Sequence, residues 1–173
     1  MKKFRDKHPV GTVAHLALTL FMFTACRIDD VVKLGRDNEV HRDGIISLCW
    51  TPDKLGSAPV TVPIMPPLAR ALAAQKIVGG TYLLSQLGQP FASGSAFGNK
   101  FRKWVAEAGL KDRTPHGIRK AAGELMALEG ASQYHIMAVH GHTQAKTSEI
   151  YTKGVNRTRL AAEAMLMMKG MDW

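Results

Sequence analysis

Hydrophobic and polar residues follow a helical period over most of the chain. Thr12 can cap a helix that runs to about Cys26, and residues 28–34 fit a second, shorter helix. From residue 95 onward, four amphipathic segments each close at or next to a glycine that suits a helix C-terminus. They are AFGNKFRKWVAEAGL, HGIRKAAGELMALEG, SQYHIMAVHG and NRTRLAAEAMLMMKG. The second half of the chain is therefore predicted to be mostly helical.

A strand-like pattern lies between these helical parts. IISLCW and PVTVPI are apolar, β-prone runs, and the turn-forming stretch TPDKLGSA separates them. They predict a β-hairpin with Lys54 at or near its tip. TYLLS, at residues 81–85, is a possible third strand, and PPLARALAAQKIV fits a helix that starts at its prolines and stops at the next two glycines. The expected fold class is α+β, mainly helical, with a small antiparallel sheet near the N-terminal half.

Charge adds a partner class to this picture. The 173 residues, 46% of them apolar, fit one domain with a hydrophobic core, and lysine plus arginine outnumber aspartate plus glutamate by 23 to 14. A formal charge of +9 favours an anionic partner, either nucleic acid or an anionic membrane face. The two cysteines, Cys26 and Cys49, lack the paired spacing of a zinc site, so free thiols in a reducing cytoplasm are expected.

The first 26 residues imitate a secretory or lipoprotein signal, with a basic start and an apolar stretch before Cys26. A lipoprotein would be processed at that cysteine and would give residues 13–25 no structural role. The apolar stretch at residues 16–23 is too short to cross a bilayer, which takes about 20 residues, and it fits a buried helix. We therefore expect a cytoplasmic protein, and the choice between a nucleic acid and a membrane face stays open at this point.

Six reactive or charged side chains occur in a set order along the chain. Arg27 follows the first predicted helix, and Lys54 lies in the predicted hairpin turn. TPHGIRK places a histidine and an arginine three residues apart at a helix start, so both can face one site. Each of the six alone has an ordinary explanation, such as a surface cation, a helix cap or a core aromatic. The set is Arg27, Lys54, His116, Arg119, His142 and Tyr151.

This ordered set resembles the catalytic domain of the tyrosine recombinases, the phage-integrase family. The segments TACRIDDVVKLGR, TPHGIRK and GHTQAKTSEIYT carry the resemblance, which extends from about residue 9 to about residue 168. It implies site-specific recombination by cleavage and rejoining of double-stranded DNA, with no membrane partner. Type IB topoisomerases share the chemistry and fold and are a close alternative, but the short spacing from His142 to Tyr151 favours a recombinase.

The resemblance assigns the phosphate-binding roles to three residues. Arg27 and Arg119 would hold the scissile phosphate, because two guanidinium groups can donate several charge-assisted hydrogen bonds to it. Their contribution is largest as negative charge builds up on the phosphate oxygens. By family analogy His142 also hydrogen-bonds a phosphate oxygen. Asp30, three residues after Arg27, is expected to support the Arg27 region rather than to react.

The remaining roles concern the nucleophile and its protons. Tyr151 would attack the phosphate and form a covalent link to the DNA 3′ end, and its phenol must lose a proton to do so. By family analogy His116 assists that transfer, while Lys54 is the expected donor to the leaving 5′ oxygen. The covalent link conserves the bond energy, so the resemblance implies neither a cofactor such as ATP nor a metal.

Two departures from the family pattern affect these expectations. His140 occupies a position that is usually apolar, and it is expected to be a partly buried neighbour or a competitor of His142. Family members usually carry an N-terminal core-binding domain, whereas the catalytic pattern here begins about ten residues after Met1. Residues 1–173 are therefore expected to form the catalytic domain alone, as a fragment or a truncated product. A non-catalytic DNA-binding remnant is the alternative function.

Assembly is the last expectation that the resemblance supplies. In the family, the region that corresponds to the last predicted helix often docks on a neighbouring protomer. The chain is accordingly expected to form a homotetramer on DNA and to be a monomer or a weak oligomer when free. The alternative is that this methionine-rich helix packs on its own domain.

Overall fold

The computed structural model describes residues 1–77, 79–153 and 157–172. Helices predominate in these ranges, and one three-stranded antiparallel sheet accompanies them, which confirms the expected fold class. The α-helices are α1 (Lys2–Lys7), α2 (Val13–Thr24), α3 (Ile28–Val31), α4 (Pro66–Ala73), α5 (Gly94–Glu107), α6 (Pro115–Leu128), α7 (Gln133–His140), α8 (Ala145–Thr152) and α9 (Arg157–Met167). The strands are β1 (Glu39–Arg42), β2 (Ile45–Trp50) and β3 (Val60–Pro63), and short 3-10 helices cover Arg36–Asn38 and Met168–Gly170.

The predicted hairpin is present as β2 and β3. Their antiparallel register pairs Ser47 with Pro63 and Trp50 with Val60, and the intervening loop carries Lys54. Most inward residues of both strands are buried, because alternate side chains of a strand point to the same face. The sheet therefore holds the Lys54 loop at one end of the core.

The third strand lies elsewhere than predicted. TYLLS is not a strand of the sheet; within it, Leu84 makes only an isolated bridge to Pro90. The third strand is β1, which pairs with β2 through a two-residue turn at Asp43 and Gly44. Both turn residues have positive φ, 51° and 75°, and Asp-Gly is a preferred sequence for such a tight hairpin. This dipeptide is the signal that marks β1 in the sequence.

Helix α2 forms the centre of the core. The Thr12 hydroxyl caps it by accepting a hydrogen bond from the His15 amide at 3.2 Å, as predicted. Leu16, Leu20 and Phe21 are fully buried, and the helix packs against α4 and α6. Residues 13–24 thus have the structural role that the lipoprotein hypothesis denies them. Among the described ranges, the structure has no helix that is both long and apolar enough to cross a membrane.

Helices α1 and α8 have no counterpart in the sequence pattern, and two predicted helices are shorter than expected. Helix α1 is rich in lysine, and it is held by Phe4, whose ring stacks on Phe101 at a centroid distance of 5.6 Å. Helix α3 ends at Val31 instead of residue 34. Helix α4 ends at Ala73 because its last turn tightens, with the Gln75 amide bonded to the Leu72 carbonyl at 3.1 Å.

Candidate active site

Arg27 lies at the junction of α2 and α3, where the chain turns sharply. Ala25 ends α2 in the left-handed conformation, with φ of 47°, and Arg27 is the N-cap of α3. Its amide donates to a carboxylate oxygen of Asp30 at 3.4 Å, and its Nη1 lies 3.4 Å from the Ser57 hydroxyl. The buried Asp30 therefore supports the Arg27 backbone, and Ser57 orients the guanidinium.

Arg119 is on the buried side of α6, one turn after its start. Although only 6% exposed, its guanidinium donates to the carbonyl oxygens of Ala25 and His140, the latter at 2.7 Å. Its Nη2 also lies 3.3 Å from His142 Nε2. Burial, together with the nearby Arg27 charge, lowers the pKa of Arg119 to about 10, so the group is still a cation at neutral pH.

His142 follows Gly141, the C-cap of α7, and lies between Arg119 and α8. Its Nδ1 is 2.8 Å from the hydroxyl of Ser148, a fully buried residue of α8. Burial lowers the pKa of His142 to about 4, with further lowering by the charges of Arg119, Arg27 and Lys54. The imidazole is therefore neutral at neutral pH.

Tyr151 is half-buried on α8, close to Arg119. Its ring lies against Gly123 of α6, where an added Cβ would be 2.9 Å from the tyrosine Cδ1. Burial raises the pKa of the phenol, the Arg119 charge opposes that rise, and the Glu124 charge adds to it. Gly123 thus provides the space in which this ring packs.

His140 is the last residue of α7 and is buried more completely than expected, at 1% exposure. Its ring contacts His142 and Tyr151 edge to face, at centroid distances of 5.2 Å and 5.1 Å. Burial, Arg119 and His142, in that order, lower its pKa to about 3. Because the ring has almost no exposed surface, His140 cannot replace His142 as a contact to a bound anion.

The loop that carries Lys54 is attached to the segment around Gly141. The Thr143 hydroxyl donates to the Gly56 carbonyl at 3.1 Å, and the Ala58 amide donates to the Gly141 carbonyl at 3.1 Å. Gly141 has φ of +63°, and an added Cβ would lie 3.0 Å from the Ala58 carbonyl oxygen. A glycine at position 141 is needed for this close approach.

A second set of contacts fixes the other side of the same loop. The Asp53 amide donates to the second carboxylate oxygen of Asp30 at 2.9 Å, and the Asp53 carboxylate pairs with Lys33. Asp30 therefore joins the backbone of Arg27 to the loop. Lys54 itself is exposed, and its charge is near enough to His142 to lower the pKa of that imidazole.

His116 is exposed at the start of α6, one turn before Arg119. Thr114 caps this helix by accepting from the Gly117 amide at 3.1 Å. His116, Arg27 and Arg119 line one concavity of about 340 Å³. Other lining residues are Cys26, Ile28, Asp29, Thr114 and Pro115. A concavity with two guanidinium groups at its wall is suited to bind an anion such as a phosphate.

The structure thus brings five of the six sequence-predicted residues to one region. Arg27, His116 and Arg119 line the concavity, His142 contacts Arg119, and the Lys54 charge acts on His142. Tyr151 packs beside them. Sequence reasoning missed Ser57 and Ser148. Ser148 lies one helical turn before Tyr151, which is the signal that would have placed both on one face of α8. Among the described residues, no group of three or more histidine, cysteine, aspartate or glutamate side chains could hold a metal ion.

Comparisons with known proteins identify the fold and the family of the chain. No curated protein sequence matches the chain. Three similar solved structures are XerA recombinase, XerH site-specific recombinase bound to difH substrate, and a lambda integrase tetramer bound to a Holliday junction. Their TM-scores are 0.69, 0.68 and 0.64, at 17%, 15% and 19% identity, so they share its fold. They match 99%, 98% and 83% of this chain, which spans 62%, 52% and 45% of theirs.

A family model provides the assignment that these low identities cannot. The model of the phage integrase family matches residues 1–157, which is most of the chain. All six candidate site residues fall inside that range. The chain belongs to the phage integrase family.

Proposed function

We propose that residues 1–173 form the catalytic domain of a site-specific tyrosine recombinase, which cleaves and rejoins double-stranded DNA through a covalent 3′-phosphotyrosyl intermediate. The observation that carries this proposal is the concavity shared by Arg27, His116 and Arg119. His142 lies 3.3 Å from Arg119, and the Lys54 charge acts on His142. Tyr151 packs against His140, whose ring also contacts His142.

The two arginines supply the phosphate site. Arg119 is fixed by two backbone carbonyls and Arg27 by its contact with Ser57, so neither guanidinium needs a large rearrangement to meet an anion. Positive groups held in advance stabilise the extra charge of a phosphorane-like transition state without reorganisation during the reaction. Arg119 Nη2, which faces His142 in the free protein, gains a phosphate oxygen as its acceptor.

His142 can change its hydrogen bonding when the phosphate binds. In the free protein Arg119 is the donor, so His142 Nε2 accepts and Nδ1–H donates to Ser148. Once a phosphate oxygen replaces His142 as the acceptor of Arg119 Nη2, the other tautomer of His142 carries Nε2–H and donates to a phosphate oxygen. The Ser148 hydroxyl supports both tautomers, because it can either accept from Nδ1 or donate to it.

The covalent step balances with groups from this chain. The Tyr151 oxygen attacks the phosphorus and its proton passes to His116, while the bond from phosphorus to the 5′ oxygen breaks and Lys54 protonates that oxygen. Rejoining is the reverse, with the 5′ hydroxyl displacing Tyr151. The phosphotyrosyl bond conserves the energy of the cleaved bond, so the reaction as proposed uses no nucleotide cofactor, and the arginines meet the charge that a metal would otherwise neutralise.

The partners we propose are duplex DNA and further copies of this chain. One solved relative is described as a tetramer bound to a Holliday junction, and another as a dimer bound to a core site. On α9 the apolar side chains Met165, Leu166 and Met167 are 65%, 67% and 84% exposed, so the helix does not bury them on its own domain. We propose that a neighbouring protomer covers them in a homotetramer on DNA, and that the free chain is a monomer or a weak oligomer.

Trapping of the covalent complex tests the function. The probe is a pool of nicked duplexes with a randomised central sequence. After cleavage, the short fragment next to the nick diffuses away, so the protein cannot rejoin the strand. Wild type should retain DNA through denaturing electrophoresis, and Tyr151→Phe should not. Tyr134→Phe is the matched control, since that tyrosine is exposed on α7. Reversible DNA binding without any covalent product from wild type would instead support the non-catalytic remnant.

A further inference from the structure

The buried imidazole of His140 has no hydrogen bond to either ring nitrogen, although the residue is only 1% exposed. Most buried side-chain polar atoms in native proteins have a partner, so this pair of nitrogen atoms needs an explanation. Packing does not explain it, because leucine has a similar volume and would bring no polar atoms into this site. The imidazole is therefore retained at a loss to the resting fold, which points to a use in another state.

The surroundings of the ring indicate what that use is. His140 lies between His142 and Tyr151, with ring centroids 5.2 Å and 5.1 Å away, and its carbonyl oxygen accepts from Arg119 at 2.7 Å. Its ring is thus in contact with the side chain that must deliver an oxygen atom to the phosphate. A phenol that becomes a phenolate gains stability from any donor aimed at its oxygen.

The charged and titratable neighbours that act on the His140 imidazole keep it neutral. Arg119 approaches from α6, His142 from the end of α7, and Arg27 from the start of α3, and all of them oppose a second ring proton. Strand β3, which packs on α7, consists of valine, threonine, valine and proline and adds no ionisable group. A neutral imidazole carries one N–H donor, so His140 can donate a hydrogen bond but is a poor base.

We propose, on the basis of the tyrosine nucleophile assigned above, that His140 donates a ring N–H hydrogen bond to the phenol oxygen of Tyr151 when that side chain turns toward the phosphate. The bond aims the oxygen and stabilises the negative charge that develops on it. His140 neither gains nor loses a proton; the phenol proton still leaves to His116. One of the two ring nitrogen atoms that lack a partner in the free protein is the donor of this bond.

Tyrosine titration with inorganic phosphate added to fill the concavity tests the hydrogen bond without any cleavage. Carbon-13 at Cζ of the three tyrosines reports each phenol by NMR, and Tyr151→Phe assigns the signal. A hydrogen bond to a charged group implies that His140→Leu raises the pKa of Tyr151 by about one unit, and His140→Gln, which restores an N–H donor, should recover at least half of that shift. A Tyr151 pKa that is the same in wild type and His140→Leu would overturn the proposal.

Single-turnover cleavage of the duplex pool across a range of pH provides the second arm. His140→Leu should form the covalent complex about tenfold more slowly at neutral pH, with the gap closing as the phenol ionises at higher pH, and His140→Gln should be intermediate. His140→Met serves as a second apolar variant if the leucine is misfolded by circular dichroism. Equal rates for wild type and the apolar variants would also reject the role of His140.

The two arms separate this inference from the proposed function. If wild type forms no covalent complex, the recombinase assignment fails, but the Tyr151 pKa still decides whether His140 donates to the phenol. If wild type cleaves DNA and the apolar variants match it in both rate and Tyr151 pKa, the recombinase assignment stands and the role of His140 is wrong.

Discussion

Acidification from pH 7 to pH 5 should destabilise this protein through the buried His140 and the partly buried His142. Burial lowers the pKa of His140 to about 3 and of His142 to about 4, from an ordinary value of 6.5. In the unfolded chain both imidazoles take up a proton near pH 6.5, whereas in the folded chain they do not. The unfolded state therefore binds more protons, so stability is fully present above pH 6.5 and declines as the pH falls toward the folded values.

The magnitude follows from the width of this window. Between about pH 6.5 and about pH 5 the unfolded His140 gains its proton over roughly 1.5 pH units, and at about 1.36 kcal/mol per unit this costs roughly 2 kcal/mol. His142 adds less, because its partial exposure lets solvent screen the neighbouring charges. The two histidines together should lower the free energy of unfolding by about 3 kcal/mol. That is a large share of the roughly 5–15 kcal/mol that is typical of a folded domain.

Urea unfolding of wild type and His140→Leu at a series of pH values measures this effect. At pH 7 the variant should be more stable by about 1–3 kcal/mol, since it removes two buried polar atoms that lack partners. The difference between the two proteins should grow by about 2 kcal/mol at pH 5. A difference that does not change with pH would refute the reasoning, because it would mean that His140 protonates as readily in the fold as in the unfolded chain.

His8→Leu is a matched control for the effect at pH 7. His8 is also buried, but its Nε2 lies 2.9 Å from the Trp104 carbonyl oxygen. The same substitution there removes a hydrogen bond and should destabilise the protein by about 1–3 kcal/mol. If His140→Leu raises the free energy of unfolding and His8→Leu lowers it, the gain at position 140 comes from the missing hydrogen-bond partner of His140 and not from leucine itself.

Four further predictions concern DNA chemistry and assembly. Lys54→Ala should cleave slowly on ordinary DNA but recover on DNA with sulfur in place of the leaving 5′ oxygen, since a thiolate leaves without a proton; an equal defect on both substrates would refute the donor role. Arg119→Lys should lower the cleavage rate by more than about a hundredfold and reduce stability by about 1–3 kcal/mol, because an ammonium cannot serve both carbonyls and the phosphate. DNA affinity should fall about a hundredfold between roughly 50 and 200 mM salt for a footprint of about four phosphates, and a flat response measured by fluorescence anisotropy would contradict a basic DNA face. Deleting residues 157–173 should leave thermal stability nearly unchanged and abolish assembly on DNA in analytical ultracentrifugation.

Local sequence signals predicted much of the fold. Thr12 caps α2 with the hydrogen bond that its side chain favours at a helix start. The β2–β3 hairpin followed from two β-prone runs and a turn. The missed strand β1 is short and mostly exposed, and it depends on the turn at Asp43 and Gly44, which the hydrophobic pattern does not register. Helix α8 was also missed, because its stability depends on the tertiary packing of Tyr151 rather than on an amphipathic repeat.

The site residues were predictable by type and order, but their partners were not. That Arg27 and the Lys54 loop share the carboxylate of Asp30 depends on the loop closing back over α3. Likewise, the hydrogen bond from His142 to Ser148 requires α8 to pack beside α7. Such contacts join residues that are distant along the chain or on different helices, so no local pattern contains them.

The positive charges of the site oppose one another in the free protein. Arg27 contributes to the lowered pKa of Arg119, and Arg27, Arg119 and Lys54 all contribute to that of His142. Folding therefore assembles cations against their mutual repulsion, and backbone carbonyls, Ser57 and Asp30 hold them there. A phosphate that enters the concavity relieves that repulsion, and a transition state with more negative charge relieves it further. The arrangement that weakens the resting domain is thus the one that favours the charge distribution of phosphoryl transfer.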